Sequence, residues 1–246
     1  MTKIRLDQYL VELGLAQSRT KAQALIMAGQ VYRGEIKLDK AGLQIADDAE
    51  IIVRGAEHPY VSRGGMKLAH AIEHFALDVT GLVAIDVGAS TGGFTDLLLR
   101  GGASKVYAVD VGHGQLDAKL RSDARVVVME KTNARDLTAE MIPDVLDMVV
   151  CDASFISLTK VLPAALTLTK PVAQLVTLIK PQFEVGKIEV SRGKGVIRDE
   201  KLHQQVCDEI SQWIATLGWN IQGIEKSPIT GPKGNVEFLL YARKGA

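Results

Sequence analysis

The sequence has few cysteines, few aromatic residues and no excess of either charge. Its only two cysteines, Cys151 and Cys207, stand in unrelated contexts, which argues against a disulfide framework and predicts a reducing compartment. The five histidines show no metal-ligand spacing, so no metal is expected. Lysine plus arginine total 29 and aspartate plus glutamate also total 29, so net charge indicates nothing about partners.

Long apolar runs are also lacking. No uncharged apolar run approaches the length of a membrane span, and Lys170 and Lys180 interrupt the best candidate. The first residues contain no apolar signal region. The sequence therefore predicts a cytoplasmic protein without a membrane partner, and we expect a monomer.

The most informative segment is a glycine-containing turn after an apolar run that ends in an acidic residue. Its spacing, Gly-x-x-x-Gly-Gly, is looser than the triple-glycine pattern of dinucleotide-binding loops, and a helix-like segment follows. An acid at the strand end suits a cofactor with a cationic amino-acid part, such as S-adenosylmethionine. The candidate cofactor-binding residues of this loop are Asp86, Gly88, Ala89, Ser90, Thr91, Gly92, Gly93 and Phe94.

The chain divides into two patterns. A small α/β module occupies residues 1 to about 55, and strands alternating with helices follow a short linker. Because helices separate most of these strands, we predict a doubly wound, mostly parallel α/β sheet of seven strands, with one of the last two strands antiparallel. The predicted strands are Val83–Val87, Lys105–Val109, Val126–Glu130, Leu146–Cys151, Leu175–Ile179, Ile221–Lys226 and Glu237–Arg243.

Polar residues follow the second and third of these strands. Asp110 lies 22 residues beyond Gly88, close to the spacing at which an acid binds ribose hydroxyls in nucleotide-binding folds, and Val111 follows it. After the third strand, Asn133 and Asp136 are candidates for an adenine edge. Either is equally well explained as a helix N-cap.

The fourth and fifth strands end at Asp152 and Lys180. A lysine at the end of an apolar strand is unfavourable unless it faces a cleft, and Pro181 then ends the strand. Together with the glycine loop, these two residues favour a site at the carboxyl edge of the sheet.

Several motifs in combination resemble the TlyA family of S-adenosylmethionine-dependent ribosomal RNA 2′-O-methyltransferases, which are often named hemolysin A. The resemblance covers essentially the whole chain. The motifs are Val61-Ser-Arg-Gly-Gly-Met-Lys67, the loop Asp86–Thr95, Cys151-Asp-Ala-Ser-Phe-Ile-Ser157, Lys180-Pro-Gln-Phe-Glu184 and Gly234-Asn-Val-Glu-Phe238.

The resemblance implies a Rossmann-like, FtsJ-like methyltransferase domain and a Lys-Asp-Lys-Glu tetrad. By motif match the tetrad falls on Lys67, Asp152, Lys180 and Glu237. Methyl transfer from a sulfonium to a ribose hydroxyl requires an oriented 2′-hydroxyl and removal of its proton. We assign Lys180 as the base, with Lys67 and Asp152 positioning both Lys180 and the hydroxyl, and Glu237 holding a lysine or the ribose. The expected substrate is cytidine in 16S or 23S ribosomal RNA, free or in an assembled subunit.

The N-terminal module resembles the S4 RNA-binding domain, on Arg5-Leu-Asp-x-x-Leu10, Ser18-Arg-x-x-Ala22 and Leu25-Ile-x-x-Gly-x-Val31. Arg33 stands where that domain commonly has an asparagine. We predict an RNA-binding domain at residues 1–55, a linker at 56–62 and the methyltransferase domain at 63–246. The candidate RNA-binding residues are Arg5, Arg19, Lys21, Arg33 and Arg63.

Other residues have two explanations each. Phe155 and Phe183 either stack on a nucleobase or pack in the core. Gly64 and Gly65 permit close approach of a ligand or substrate. Phosphate contacts and solvated charges explain a further basic set equally well: Arg192, Lys194 and Lys233.

Two other functions compete with methyl transfer. A membrane-lytic protein, which the hemolysin name implies, would need a spanning segment or a lytic amphipathic helix, and the sequence shows neither. A non-catalytic RNA-binding assembly factor would not need the tetrad and the glycine loop.

Overall fold

The computed structural model describes residues 3–16, 18–34, 36–47, 49, 51–53, 59–186, 193, 195–231 and 234–245. The chain forms two compact units, residues 1–57 and 58–246. Residues 56–58 of the predicted linker lie outside the described part of the chain. Within the described ranges, no helix combines the length and apolar composition that crossing a bilayer requires.

The first unit packs two helices against short antiparallel strands around its own apolar core. Ser18 begins the second helix by accepting a hydrogen bond from the backbone N–H of Lys21 at 3.2 Å. Gly29 follows the end of this helix with φ +68°, a conformation that glycine adopts without strain. The elements of this unit are β1 (Lys3–Arg5), α1 (Leu6–Glu12), α2 (Arg19–Met27), β2 (Val31–Arg33), β3 (Ile36–Lys37), β4 (Gln44–Ala46) and β5 (Ile52–Val53).

The second unit is a seven-stranded sheet with helices on it, which confirms the predicted Rossmann-like α/β class. Its strands are β6 (Val83–Val87), β7 (Lys105–Val109), β8 (Val126–Met129), β9 (Leu146–Cys151), β10 (Thr169–Ile179), β11 (Trp219–Lys226) and β12 (Phe238–Lys244). Its helices are α3 (Gly64–His74), α4 (Gly93–Arg100), α5 (Ala118–Arg121), α6 (Leu158–Val161), α7 (Pro163–Thr167), α8 (Pro181–Glu184) and α9 (Glu200–Thr216), with a 3-10 turn at Ala134–Asp136.

The strand order is β11-β12-β10-β9-β6-β7-β8. Strands β10, β9, β6, β7 and β8 are parallel, whereas β12 runs antiparallel to both of its neighbours. The expectation of one antiparallel strand among the last two is therefore confirmed. Two apolar clusters hold the helices to the sheet.

Glycines bring α3 close to the start of α4. A Cβ atom on Gly93 would lie 2.7 Å from the backbone nitrogen of Gly65, and a Cβ on Gly65 would lie 2.5 Å from the ring of Tyr60. These distances are shorter than real Cβ contacts allow. Gly65 was expected to admit a ligand, but here its missing side chain makes room for Tyr60, and the missing side chain of Gly93 lets α4 approach α3.

Candidate active site

Strand register brings two of the predicted site residues together. Val87 of β6 pairs with Cys151 of β9, which in turn pairs with Thr177 of β10. Asp152 and Lys180 directly follow β9 and β10. Because these strands are parallel and adjacent, both side chains emerge at the same edge of the sheet.

Glu237 reaches this edge because β12 runs the opposite way. Phe238, the first residue of β12, pairs with Ile179, the last residue of β10. The residue before β12 therefore lies level with Lys180. Helix α3 supplies the fourth side chain, Lys67.

The four side chains form a continuous chain of ion pairs. Lys180 Nζ lies 2.6 Å from Asp152 Oδ1, and Lys67 Nζ lies 3.0 Å from Asp152 Oδ2. Lys67 Nζ also lies 2.7 Å from Glu237 Oε2. Lys67, Lys180 and Glu237 are 7%, 5% and 1% exposed. Two buried cations and two carboxylates balance in charge, which such burial requires.

Lys180 also donates two hydrogen bonds, and the one to Ser154 was not predicted from the sequence. Its Nζ donates to the backbone oxygen of Asp152 at 3.1 Å and to Ser154 Oγ at 2.9 Å. Ser154 is exposed and lines the adjacent cavity. A hydroxyl oxygen therefore fits beside the Lys180 amine on the side that faces the cavity. The motif Cys151–Ser157 contains this serine, but only the fold shows where it points.

The loop before β12 makes room for Glu237. A Cβ on Gly231 would lie 2.2 Å from Glu237 Oε1, so a side chain there would displace the carboxylate. Asn235 holds the loop, because its Oδ1 accepts from the backbone N–H of Ile197 at 3.1 Å and its Nδ2 donates to the oxygen of Gly195 at 3.0 Å. These supporting residues are recognised only from their contacts.

The glycine loop lies beside the tetrad. Gly88 has φ +83°, and a Cβ there would lie 3.0 Å from the Cα of Ala153. Gly92 caps α4 with φ +93°. A glycine is required at both positions because L side chains rarely adopt such backbone conformations.

A cavity of about 420 Å³ opens between this loop and the strand ends. The lining includes six of the predicted site residues, namely Gly88, Ser90, Asp110, Val111, Asn133 and Asp152. Asp110 accepts from the backbone N–H groups of Ser90 at 2.8 Å and Gly112 at 2.6 Å. Its carboxylate thus fixes the loop and still borders the cavity, since each oxygen has a second lone pair.

Asn133 is an N-cap and also lines the cavity. Its Oδ1 caps the turn Ala134–Asp136 by accepting from the backbone N–H of Arg135 at 3.1 Å, and its side chain belongs to the cavity lining.

Other predicted cofactor residues do not line the cavity. Asp136 is exposed at the end of the turn that Asn133 caps. Phe94, in the first turn of α4, is 3% exposed and packs in the same apolar core as the buried Ala89. Gly92 and Gly93 contact neighbouring elements, and Thr91 is exposed.

Asp86 is buried beneath the loop. Its Oδ2 accepts from the backbone N–H of Thr95 at 3.0 Å and from Thr95 Oγ1 at 2.7 Å, whereas Oδ1 has no hydrogen-bond partner among the described residues. Burial raises the pKa of Asp86 to about 7 from an ordinary 3.8; the Thr95 hydrogen bonds oppose this shift, and the charges of Asp152 and Asp110 add to it. An unpartnered buried carboxylate oxygen is suited to a cationic ligand group.

This pKa predicts a pH-dependent stability. Asp86 holds its proton more tightly in the folded state than in the unfolded state. Its contribution to the free energy of unfolding is therefore fully present below about pH 4 and is lost as pH rises towards 7. Relative to wild type, ligand-free Asp86→Asn should gain on the order of 3 kcal/mol of unfolding free energy between pH 4 and pH 8. Urea unfolding followed by tryptophan fluorescence measures this, since Trp213 and Trp219 both lie in the second unit.

The exposed Asp208→Asn substitution is the matched control and should follow the wild-type pH profile. An Asp86→Asn profile parallel to that of wild type would mean that Asp86 is not the responsible group.

In the first unit, a buried carboxylate joins two of the predicted RNA-binding residues. Asp7 accepts from Arg5 Nε and Nη2, both at 3.0 Å, from Arg19 Nη2 at 3.1 Å and from Gln23 Nε2 at 2.9 Å. The bidentate Arg5 guanidinium holds the pKa of Asp7 well below its usual range. Both arginines stay about half exposed, so the cluster presents a net positive charge.

The remaining basic candidates lie in different parts of the chain. Lys21 and Arg33 are exposed in the first unit. Arg63, in the second unit, donates to the backbone oxygen of Thr230. Three others, Arg192, Lys194 and Lys233, lie outside the described residues.

Phe155 is not a core residue. It is 90% exposed, lines the cavity and has φ +66°, an unusual conformation for a bulky side chain. Its ring centroid lies 5.1 Å from that of Phe183. An exposed aromatic in a strained backbone conformation beside a cavity favours a binding role.

Comparison with known proteins identifies families for both units. Residues 60–244 match the FtsJ-like methyltransferase family, and residues 4–51 match the S4 domain. A Mycobacterium tuberculosis protein named 16S/23S rRNA (cytidine-2′-O)-methyltransferase TlyA is 46% identical over 242 residues, which cover 98% of this chain and 90% of that protein.

Solved structures show the same relationship. A hemolysin-named protein from Streptococcus thermophilus is 40% identical with a TM-score of 0.78, over 100% of this chain and 90% of that one. A protein from Listeria monocytogenes named as an S-adenosylmethionine-dependent methyltransferase shares the fold at a TM-score of 0.56 and 16% identity, over 75% of this chain and 100% of that one. The prediction from sequence is therefore confirmed: this chain belongs to the FtsJ-like methyltransferase family and carries an S4 domain at its N-terminal end.

Proposed function

We propose that the protein transfers a methyl group from S-adenosylmethionine to the 2′-hydroxyl of a cytidine ribose in ribosomal RNA. The observation that carries this proposal is the buried Lys67–Asp152–Lys180–Glu237 chain of ion pairs beside the cavity. The name of the 46% identical relative supports cytidine and the 16S or 23S RNA.

The cavity residues fit the proposed cofactor. Asp110 lines the cavity and would offer its carboxylate to the ribose hydroxyls. Asp86 is not part of the lining but is buried beneath the glycine loop, where its unpartnered oxygen suits a cationic amino group. Gly88 would bring the backbone close to the ligand, and Asn133 offers a polar edge for adenine. When bound, S-adenosylmethionine supplies an electrophilic methyl group.

In this proposal Lys180 removes the hydroxyl proton. In the resting site three acceptors surround its Nζ, which matches the three donors of an ammonium group. We assign the position of Ser154 Oγ to the incoming 2′-hydroxyl, because this contact alone joins Lys180 to an exposed neutral group. Lys180 first releases one proton to solvent. Its neutral amine then accepts the hydroxyl proton, and the ribose oxygen would take the methyl group that bound S-adenosylmethionine supplies, leaving S-adenosylhomocysteine.

The other tetrad residues position Lys180. Asp152 contacts both lysines, so it fixes Lys180 relative to α3. Glu237 holds Lys67 from the other side. Such orientation is worth a large share of the rate when the reacting atoms must align.

The proposal is tested by incubating the protein and tritiated S-adenosylmethionine with ribosomal RNA and with intact subunits, from a strain that lacks the gene. Labelled RNA is then digested to nucleosides. We expect 2′-O-methylcytidine. Label only on a base, or no label with any substrate, would contradict the proposal. Failure to bind S-adenosylmethionine in calorimetry, even with RNA present, would support the assembly-factor alternative.

Phe155 is proposed to stack on the substrate base. Its exposed ring beside Phe183 offers an aromatic surface at the mouth of the cavity. Specific RNA readers often place an unstacked base on such a ring.

The S4 domain is proposed to bind the RNA backbone. Replacing both Lys21 and Arg33 by alanine should weaken RNA binding and make the dependence of log K on log salt shallower, by about one for each phosphate that the variant no longer neutralises. Filter binding at several salt concentrations measures this. The exposed Lys119→Ala, in the second unit, is the control, and an unchanged slope in the double variant would remove both residues from the interface.

A further inference from the structure

Two histidines and a glutamate converge outside the tetrad. His70 and His74 lie one turn apart on α3, and Glu225 lies on the edge strand β11. His70 Nε2 is 3.6 Å from Glu225 Oε1, and His74 Nε2 is 3.7 Å from Glu225 Oε2. All three ligand atoms lie within 4.8 Å of one another.

The arrangement of the histidine nitrogens is typical of metal ligands and is not explained by hydrogen bonding. Residues four apart on a helix share a face, and the two rings stack with centroids 5.8 Å apart at 29°. His70 Nε2 is shielded from solvent, yet it makes no hydrogen bond in the described part of the chain. Both distances to Glu225 exceed hydrogen-bond length, so a direct bond does not explain the arrangement.

A tetrahedral zinc ion accounts for this spacing. With zinc–nitrogen and zinc–oxygen distances of about 2.0–2.1 Å, neighbouring ligand atoms stand about 3.3 Å apart. The observed separations need only small side-chain rotations to reach this value. Two imidazoles and one carboxylate are a common ligand set for divalent transition metals.

We infer that His70, His74 and Glu225 bind one divalent transition-metal ion, with water at the remaining position. The ion would tie α3 to β11. Lys67 lies on the same helix, three residues before His70, so the ion would stabilise the element that carries a tetrad residue. The sequence predicted no metal, because Glu225 lies 151 residues beyond His74 and only the fold brings it to α3.

Zinc is the probe. Tag-free full-length protein is stripped of metal with a chelator and titrated with zinc in a calorimeter. The same titration is run on two ligand variants, His70→Gln/His74→Gln and Glu225→Gln. The control is Glu73→Gln, which removes an exposed carboxylate on the same helix. We expect one ion per chain for wild type and control. Removing even an outer partner of a metal ligand costs about 10–100-fold in affinity, so each ligand variant should bind at least about tenfold more weakly.

A second measurement separates binding from folding. Zinc should raise the melting temperature of wild type and of Glu73→Gln, but not that of the ligand variants. If the double histidine variant does not fold, Glu225→Gln decides the question. The inference is overturned if wild type binds no zinc, or if folded ligand variants bind it as tightly as wild type does.

Discussion

Replacing Lys180 by methionine should slow methyl transfer by about 10²–10⁴-fold, the usual contribution of a positioned acid or base. Methionine keeps much of the apolar length of lysine but has no group that accepts a proton. Because Lys180 does not belong to the cavity lining, the affinity for S-adenosylmethionine should change little. Single-turnover kinetics with saturating RNA measure the transfer step, and calorimetry measures cofactor binding.

The control is Lys160→Met, which removes an exposed lysine in the short helix α6 after the Asp152 motif. This variant should match wild type. Equal rates for Lys180→Met and wild type would refute the assignment of Lys180 as the base.

Replacing Asp152 by asparagine should damage both rate and stability. The change leaves two buried ammonium groups with one carboxylate, which lies beside Lys67 only. Removing one partner of a buried ion pair costs about 3–5 kcal/mol, and a misplaced base costs about 10²-fold in rate. Urea unfolding and single-turnover transfer measure the two losses.

The double variant Lys180→Met/Asp152→Asn tests whether uncompensated charge is the reason for the loss of stability. It restores charge balance and keeps the Lys67–Glu237 pair, so much of the lost stability should return while transfer stays slow. If the double variant is less stable than Asp152→Asn alone, uncompensated charge is not the reason for the loss.

Much of the fold follows from local pattern. Strands β6, β7 and β9 have the predicted ends, because short apolar runs with turns at both sides define them. Strand β10 begins at Thr169, earlier than predicted. The prediction began too late because Lys170 and Pro171 interrupt the apolar pattern in the first residues of the strand. The three-residue strands β1 and β4 were missed, since segments of that length carry too little periodicity.

The site was predictable in its residue types and not in its contacts. The motifs named Lys67, Asp152, Lys180 and Glu237 as a set, and in the structure these four side chains are joined by ion pairs, while their proposed roles stay predictions. Ser154 beside Lys180, Gly231 behind Glu237 and the unpartnered oxygen of Asp86 depend on packing between distant segments. No local pattern encodes such contacts.

The close approach of Gly93 to Gly65 has a consequence for how the enzyme can change. Between the loop proposed to hold the methyl donor and the helix that carries Lys67, the space at Gly93 is bordered by backbone atoms of Gly64 and Gly65 and by the Ser62 hydroxyl, so there is no room for even a methyl group. The glycine loop on the methyl-donor side and helix α3 on the acceptor side are therefore closely packed against each other. Any substitution that adds a side chain at Gly93 would therefore need a compensating change at the start of α3, the helix that carries Lys67.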